Sequence, residues 1–259
     1  MAVSGARWAM IGAVAAATIA GGVVAGLLVV KRLESGTWQM LDRGDFVRVR
    51  DRLTGDNRGP SRVIYLARGP MTFSPGTDDA AAGRSSVVAA KANTNVAMPG
   101  WKGSDKAWKQ VVTCVSNLFA PFDVEVTDTR PAGDDFIVVA VGGRPGDLGE
   151  KNKRVGGLAP FSGAVIPRAV VFAFAQQLDH QVHPVCETIG MEVAHAYGLD
   201  HAYLCKDVMT YLKPCGRKSF VDKDVPCGEG TRRACNDGAP TQNSYRRLLA
   251  VLGPRRQTR

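Results

Sequence analysis

The sequence predicts an α+β domain whose C-terminal part is stapled by cysteines. Three observations lead there. Short β-branched runs bounded by turn residues alternate with stretches whose apolar residues recur at helical spacing. Four of the six cysteines fall between residues 205 and 235, at spacings that suit short disulfide loops better than zinc ribbons. Hydrophobic residues make up 45% of the 259, enough for a real core and too many for wholesale disorder.

The chain opens on an uncharged run, Trp8 to Val30, preceded by Arg7 and closed by Lys31 and Arg32. It is long enough to cross a bilayer as a helix. Its apolar part continues past Val23-Val24-Ala25, the one candidate cleavage site, which favours a retained anchor over a cleaved signal. Residues 1–32 are therefore read as a membrane anchor or signal segment. Residues 33–61, rich in Arg, Asp and Gly, read as a polar linker, and 62–259 as the folded domain. Orientation is contested. Lys31, Arg32, Arg43, Arg48, Arg50 and Arg52 follow the segment, which by the positive-inside rule keeps the domain in the cytoplasm. Clustered cysteines argue instead for an exported domain, membrane-anchored or secreted. The net charge of +9 favours acidic partners without identifying one. No nucleic-acid-binding motif accompanies it, and Arg246, Arg247, Arg255, Arg256 and Arg259 read as a solvated, fraying end.

Within the domain, Val63 to Leu66 predicts a strand, stopped by Gly69-Pro70, and Thr77 to Ser86 a loop. Ser104 can cap a helix through Phe119, on which Trp108, Val111, Val112, Val115, Leu118 and Phe119 share a face; Pro121 stops it. Asp123 to Thr127 alternates as a half-buried strand does. Phe136 to Val141 and Ala169 to Phe174 are continuous apolar runs and predict buried strands. Arg144 to Ser162, glycine-rich and basic, reads as a surface loop. Pro184 to Tyr197 predicts a helix with Pro184 at its first position and Gly198 as its left-handed stop. Tyr245, Leu248, Leu249 and Leu252 mark a last amphipathic helix, ended by Gly253-Pro254.

The segment from Met191 to His201 carries the chemistry. On a helix Met191 and His195 lie on one face, with Glu192 close to His195. Gly198 lets the chain turn sharply and bring His201 back towards His195. Two imidazoles then converge beside a carboxylate, as zinc catalysis requires.

Glu192, His195, Gly198 and His201 stand at the spacings of H-E-x-x-H-x-x-G-x-x-H, and Met209, in Asp207-Val208-Met209-Thr210-Tyr211, stands where a Met-turn methionine would. In this the chain resembles the metzincin zinc peptidases, with matrixin-like spacing. The resemblance implies a zincin-like fold with a mixed twisted sheet, an active-site helix and a Met-turn. It implies zinc on His195 and His201, Glu192 as general base and Met209 as structural floor. It also implies a substrate-pairing edge strand, for which Val170 to Phe174 is the candidate. The first ligand position holds Met191, a poor zinc donor. His180 and His183 lie two turns away, and Asp200, adjacent to His201, is expected to point elsewhere, with a supporting bond to His201 as the alternative.

The expected function is a zinc metalloendopeptidase acting on a peptide or protein substrate, weakened or inactive for want of one ligand. Its alternatives are an inactive zincin-fold peptide-binding module and a basic membrane-tethered structural protein. A copper(I) site of Met191, His195 and His201 leaves Glu192 without a role. Six cysteines allow 15 pairings. The local guess is Cys205 with Cys215 and Cys227 with Cys235, leaving Cys114 and Cys186 as a pair or as two buried thiols.

Overall fold

The structure, a computed structural model, describes residues 59–256 in full and the backbone alone of residues 12–19, 22–32 and 38–40. The chain separates into two compact units, residues 1–57 and 58–259. In the first, β1 (Gly12–Ile19) runs antiparallel to β2 (Gly22–Arg32), with Gly12 opposite Val29. β3 (Trp38–Met40) pairs with the end of β2. This corrects the expectation of a helix over residues 8–30, since the described part of that run is extended. An unbroken apolar run carries no polar phase from which to tell helix from strand, and its Val, Ile and Thr suit extended backbone. Among the described residues no helix is long and apolar enough to cross a membrane. Most of the linker expected over 33–61 lies outside the described residues, as does Arg259.

The second unit is α+β. In chain order it holds β4 (Val63–Ala67), β5 (Met71–Pro75), β6 (Arg84–Ser85), α1 (Ser86–Lys91), β7 (Val96–Met98), α2 (Asp105–Phe119), β8 (Glu125–Thr127) and β9 (Ile137–Val141). A 3-10 turn at Pro145–Leu148 follows, then β10 (Gly157–Leu158), β11 (Val170–Ala173), α3 (Val182–Ala196) and α4 (Ser244–Leu252). The main sheet has the order β10-β11-β9-β4-β8. Four strands are parallel, and the edge strand β10 runs antiparallel to β11, with Gly157 opposite Ala173. A smaller sheet has the order β6-β5-β7.

The parallel strands are apolar on both faces because both are covered. Ile64, Leu66, Ile137, Val139, Val171 and Ala173 pack into the core that includes α2 and α3. Val138, Ala140, Val170 and Phe172 face a second core with Phe136, which precedes β9, and with Phe73 and Met98 from the smaller sheet. The α2 expectation holds in detail: Ser104 Oγ accepts from Ala107 N at 3.2 Å, and Trp108, Val111, Val115 and Phe119 form its buried stripe. α3 begins two residues earlier than expected, so Pro184 is its third residue rather than its first. That position is tolerated because first-turn N–H groups have no partner within the helix.

Two corrections concern the site. Val170 to Phe174 is not an edge: β11 is enclosed between β9 and β10. The edge is β10, inside the stretch expected to be a plain loop.

Three disulfides form, Cys114–Cys186, Cys205–Cys215 and Cys227–Cys235, and no described cysteine is free. The first joins α2 to α3. The C-terminal arginines are more engaged than a fraying end would be. Arg255 Nη1 donates to Val124 O at 3.0 Å, Arg256 pairs with Asp123 at 3.1 Å, and Arg247 donates to Gly163 O at 2.9 Å.

Candidate functional site

α3 supplies Glu192 and His195 from its buried last turns, and Gly198 ends it with φ +88°. A side chain at Gly198 would also press on the backbone of Gly163 and Ala164, which wraps the helix end through the Ile166 N to Ala196 O bond of 2.8 Å. The turn carries His201 back onto His195. The two rings meet edge to face with centroids 4.5 Å apart. His195 Nδ1 bonds Leu199 O at 2.7 Å, which fixes that nitrogen as the protonated one and leaves Nε2 with its lone pair. His201 Nδ1 is buried with no hydrogen-bond partner. Phe161 stands 5.2 Å from the His195 ring, and Tyr211, 47% exposed, lies 4.4 Å from His201.

β10 crosses directly over this helix. A β-carbon built at Gly157 would fall 2.6 Å from Glu192 Cγ, 2.7 Å from Phe172 O and 2.8 Å from Thr188 Cγ2. Only glycine permits that approach. Gly157→Val should lower stability by about 1–3 kcal/mol, as overpacking does. An unchanged denaturation midpoint would show that the strand does not lie on Glu192.

Burial sets the protonation of the site. It pushes the Glu192 carboxyl up to about 8. It pulls His195 down to about 4, helped by its His201 neighbour. His201 is lowered as well, by burial, against the pull of Glu229 and Asp200. At neutral pH the cluster is an uncharged acid beside two neutral imidazoles.

Met209 is fully buried in the main core. Its backbone O accepts from Ala202 N at 3.0 Å, and its N donates to Asp207 Oδ1 at 2.9 Å. Ser244 donates to the other Asp207 oxygen at 2.5 Å, which ties the turn to α4. Asp200 does not orient the His201 ring. It accepts from His201 N at 2.7 Å and forms a bidentate pair with Arg233, at 2.6 and 2.9 Å. His180 packs on Trp101 and has no part in the cluster.

Two residues at the site were not singled out by sequence. Gly157 sits in a two-residue strand with no periodicity of its own. Glu229 sits in the loop closed by Cys227–Cys235, with Oε1 4.0 Å from His201 Nε2.

The donor set bears on zinc. His195 and His201 suit it as imidazole ligands, and the bond of His195 Nδ1 to Leu199 O leaves Nε2 of that ring with its lone pair free. Residue 191 does not suit it, because a thioether is a weak donor. Among the described residues, the one trio of His, Cys, Asp or Glu ligand atoms within 4.8 Å of one another is Asp200, Cys227 and Cys235. Both of those sulfurs are spent in a disulfide and Asp200 is held by Arg233, so this trio is no metal site.

No protein-family model matches the chain, and no curated protein matches it.

Proposed function

We propose that the 58–259 unit is a metzincin-like metallopeptidase domain with a weakened zinc site, acting on extended peptides. The observation that carries this is the convergence of Glu192, His195 and His201 beneath an antiparallel edge strand. Spacing alone gives the order of these residues; their edge-to-face meeting and the passage of Gly157 across Glu192 support the reading independently. The burial of Met209, whose backbone O accepts from Ala202 N next to His201, supports it further.

β10 is the last strand of its sheet, so its outer backbone groups are available to pair with an extended peptide. That pairing draws the peptide past Glu192. His195 and His201 would hold the metal, which when bound would supply polarisation of a carbonyl and acidification of a water. Glu192 takes the proton of the attacking water and returns it to the leaving amine. It can do so only as a carboxylate, and a cation held by the two histidines would offset the burial that keeps it protonated. The low proton affinity of His195 keeps its Nε2 lone pair available at neutral pH.

Incubation of the full, disulfide-intact chain with zinc and a mixture of extended peptides tests this. Glu192→Gln should lower turnover by about 10²–10⁴-fold, the usual contribution of a general base, while peptide binding persists. Equal cleavage by both proteins sinks the reading. Met191 favours a second reading, in which peptide binds along β10 without turnover. Saturable binding with no cleavage at any zinc concentration would establish that one.

A further inference from the structure

We infer that a groove between α2 and α3, on a different face of α3 from Glu192, is a docking site for an acidic peptide segment with apolar side chains, supplied by a partner protein. The groove measures about 1150 Å³, above the roughly 300–1,000 Å³ of a small-molecule pocket. On α3 it takes Val182, Cys186 and Glu187. Cys186 and Glu192 stand about 120° apart around the helix, so an occupant of the groove stays off the face that carries Glu192.

The walls carry four cations, Lys106, Lys109, Arg217 and Lys218, against one carboxylate, Glu187. Lys106 and Lys109 come from α2, on the stripe turned away from the core. Lys218 already occupies the acid: its N donates to Glu187 Oε1 at 3.2 Å and its Nζ lies 3.7 Å from Oε2. Lys106, Lys109 and Arg217 form no ion pair among the described residues, and Asp105, one turn before Lys109, is held by Arg68. Unpaired like charges around one groove repel each other, and the carboxylates of a partner relieve that repulsion.

The floor is apolar. Leu118, Val182 and Tyr245 line it half-buried. Phe220 is braced in the core, its ring 5.2 Å from that of Phe119 and 5.8 Å from that of Phe122. The Cys114–Cys186 bridge fixes α2 to α3 along the groove, so its shape is set before anything binds. A basic rim over an apolar floor selects an amphipathic acidic segment rather than a bare polyanion. A second copy of this chain is a poor occupant, because each copy carries a net charge of +9.

The test titrates the full oxidised chain, with chelator present, against a short fluorescent peptide of glutamates and aspartates interrupted by leucine and phenylalanine. Chelator keeps metal-dependent turnover out of the measurement, so the outcome bears on the groove and leaves the metallopeptidase reading untouched. Lys106→Glu with Lys109→Glu should weaken binding about 10-fold at low salt, as two reversals of exposed charge do. Both positions are exposed on α2, so the melting temperature should not move. Lys151→Glu with Lys153→Glu, an equal change in net charge on the exposed loop before β10, should leave binding as it was. A peptide with serine in place of leucine and phenylalanine should bind at least about 10-fold more weakly, having lost its apolar burial. The assignment is overturned by an absence of saturable binding, or by groove reversals that weaken binding no more than the control pair. It is overturned equally by a serine peptide that binds as tightly. Single-stranded DNA that binds more tightly than the peptide, with the same dependence on Lys106 and Lys109, would make the groove a nucleic-acid site instead.

Discussion

Opening the Cys114–Cys186 bridge should cost the protein about 4 kcal/mol, the chain-entropy value for a loop of this length. The cysteines are 72 residues apart, against 10 and 8 for the other two bridges, so this one restricts the unfolded chain most. It also joins the two helices that cover one face of the main sheet. Their contact is close, since a β-carbon at Gly190 would lie 3.0 Å from Leu118 Cδ1 and 3.2 Å from Val208 Cγ2. Cys114→Ala with Cys186→Ala leaves that packing in place and removes the link. Guanidinium unfolding of the double variant measures the effect. A loss under about 1 kcal/mol would mean that the unfolded chain is already compact around these helices.

In the presence of chelator, stability should fall as pH rises from about 6.5 to 8, by about 2 kcal/mol. The slope is about 1.4 kcal/mol per pH unit for one proton. Glu192 carries its proton in the folded protein up to about 8 and loses it near 4.5 when unfolded. Its stabilising effect is therefore complete below about 4.5 and fades as pH rises through 8. His195 works in the opposite direction. Its folded value is near 4 against 6.5 unfolded, so its contribution is complete above 6.5 and is lost as pH falls towards 4. Between 4.5 and 6.5 the Glu192 slope is opposed by that of His195 and by that of His201, which burial also lowers; above 6.5 only that of Glu192 remains. Glu192→Gln should flatten this alkaline limb and, below 6.5, leave the histidine slopes unopposed, so that stability falls as pH drops from 6.5 towards 4.5. Parallel stability curves for the two proteins from pH 6.5 to 8 would show that Glu192 is not desolvated as described.

Most of the frame was legible wherever a residue type carries a periodic or local signal. Ser104 and the stripe from Trp108 to Phe119 specified α2 almost to its ends. The continuous apolar runs specified β9 and β11, and the spacing from Glu192 to His201 specified which side chains the turn would bring together. The edge strand was not legible. Gly157 and Leu158 form a strand only because β11 offers them a free side, a fact of tertiary pairing with no trace in the local sequence. Assigning the edge to Val170–Phe174 mistook a strong β signal for an outer position, whereas its apolar character reflects burial on both faces. Glu229 was hidden for a related reason. It lies far along the chain from His201 and meets it only through the loop that Cys227–Cys235 closes. The apolar run near the start was misread as a helix because hydropathy without a polar phase does not fix backbone geometry.

The position of β4 has a consequence for how the domain is assembled in time. Val63 pairs with Glu125 and Ile64 with Ile137, so the first strand of the unit waits at the sheet's interior for partners made much later. Such pairings close long loops before any contact rewards them, which places folding roughly in the millisecond-to-second range of non-local topologies rather than the microseconds of helical bundles. Until β9 arrives, β4 presents unpaired apolar edges to other chains. The interval between synthesis of β4 and synthesis of β9 is therefore the stage at which this protein is most exposed to misassembly.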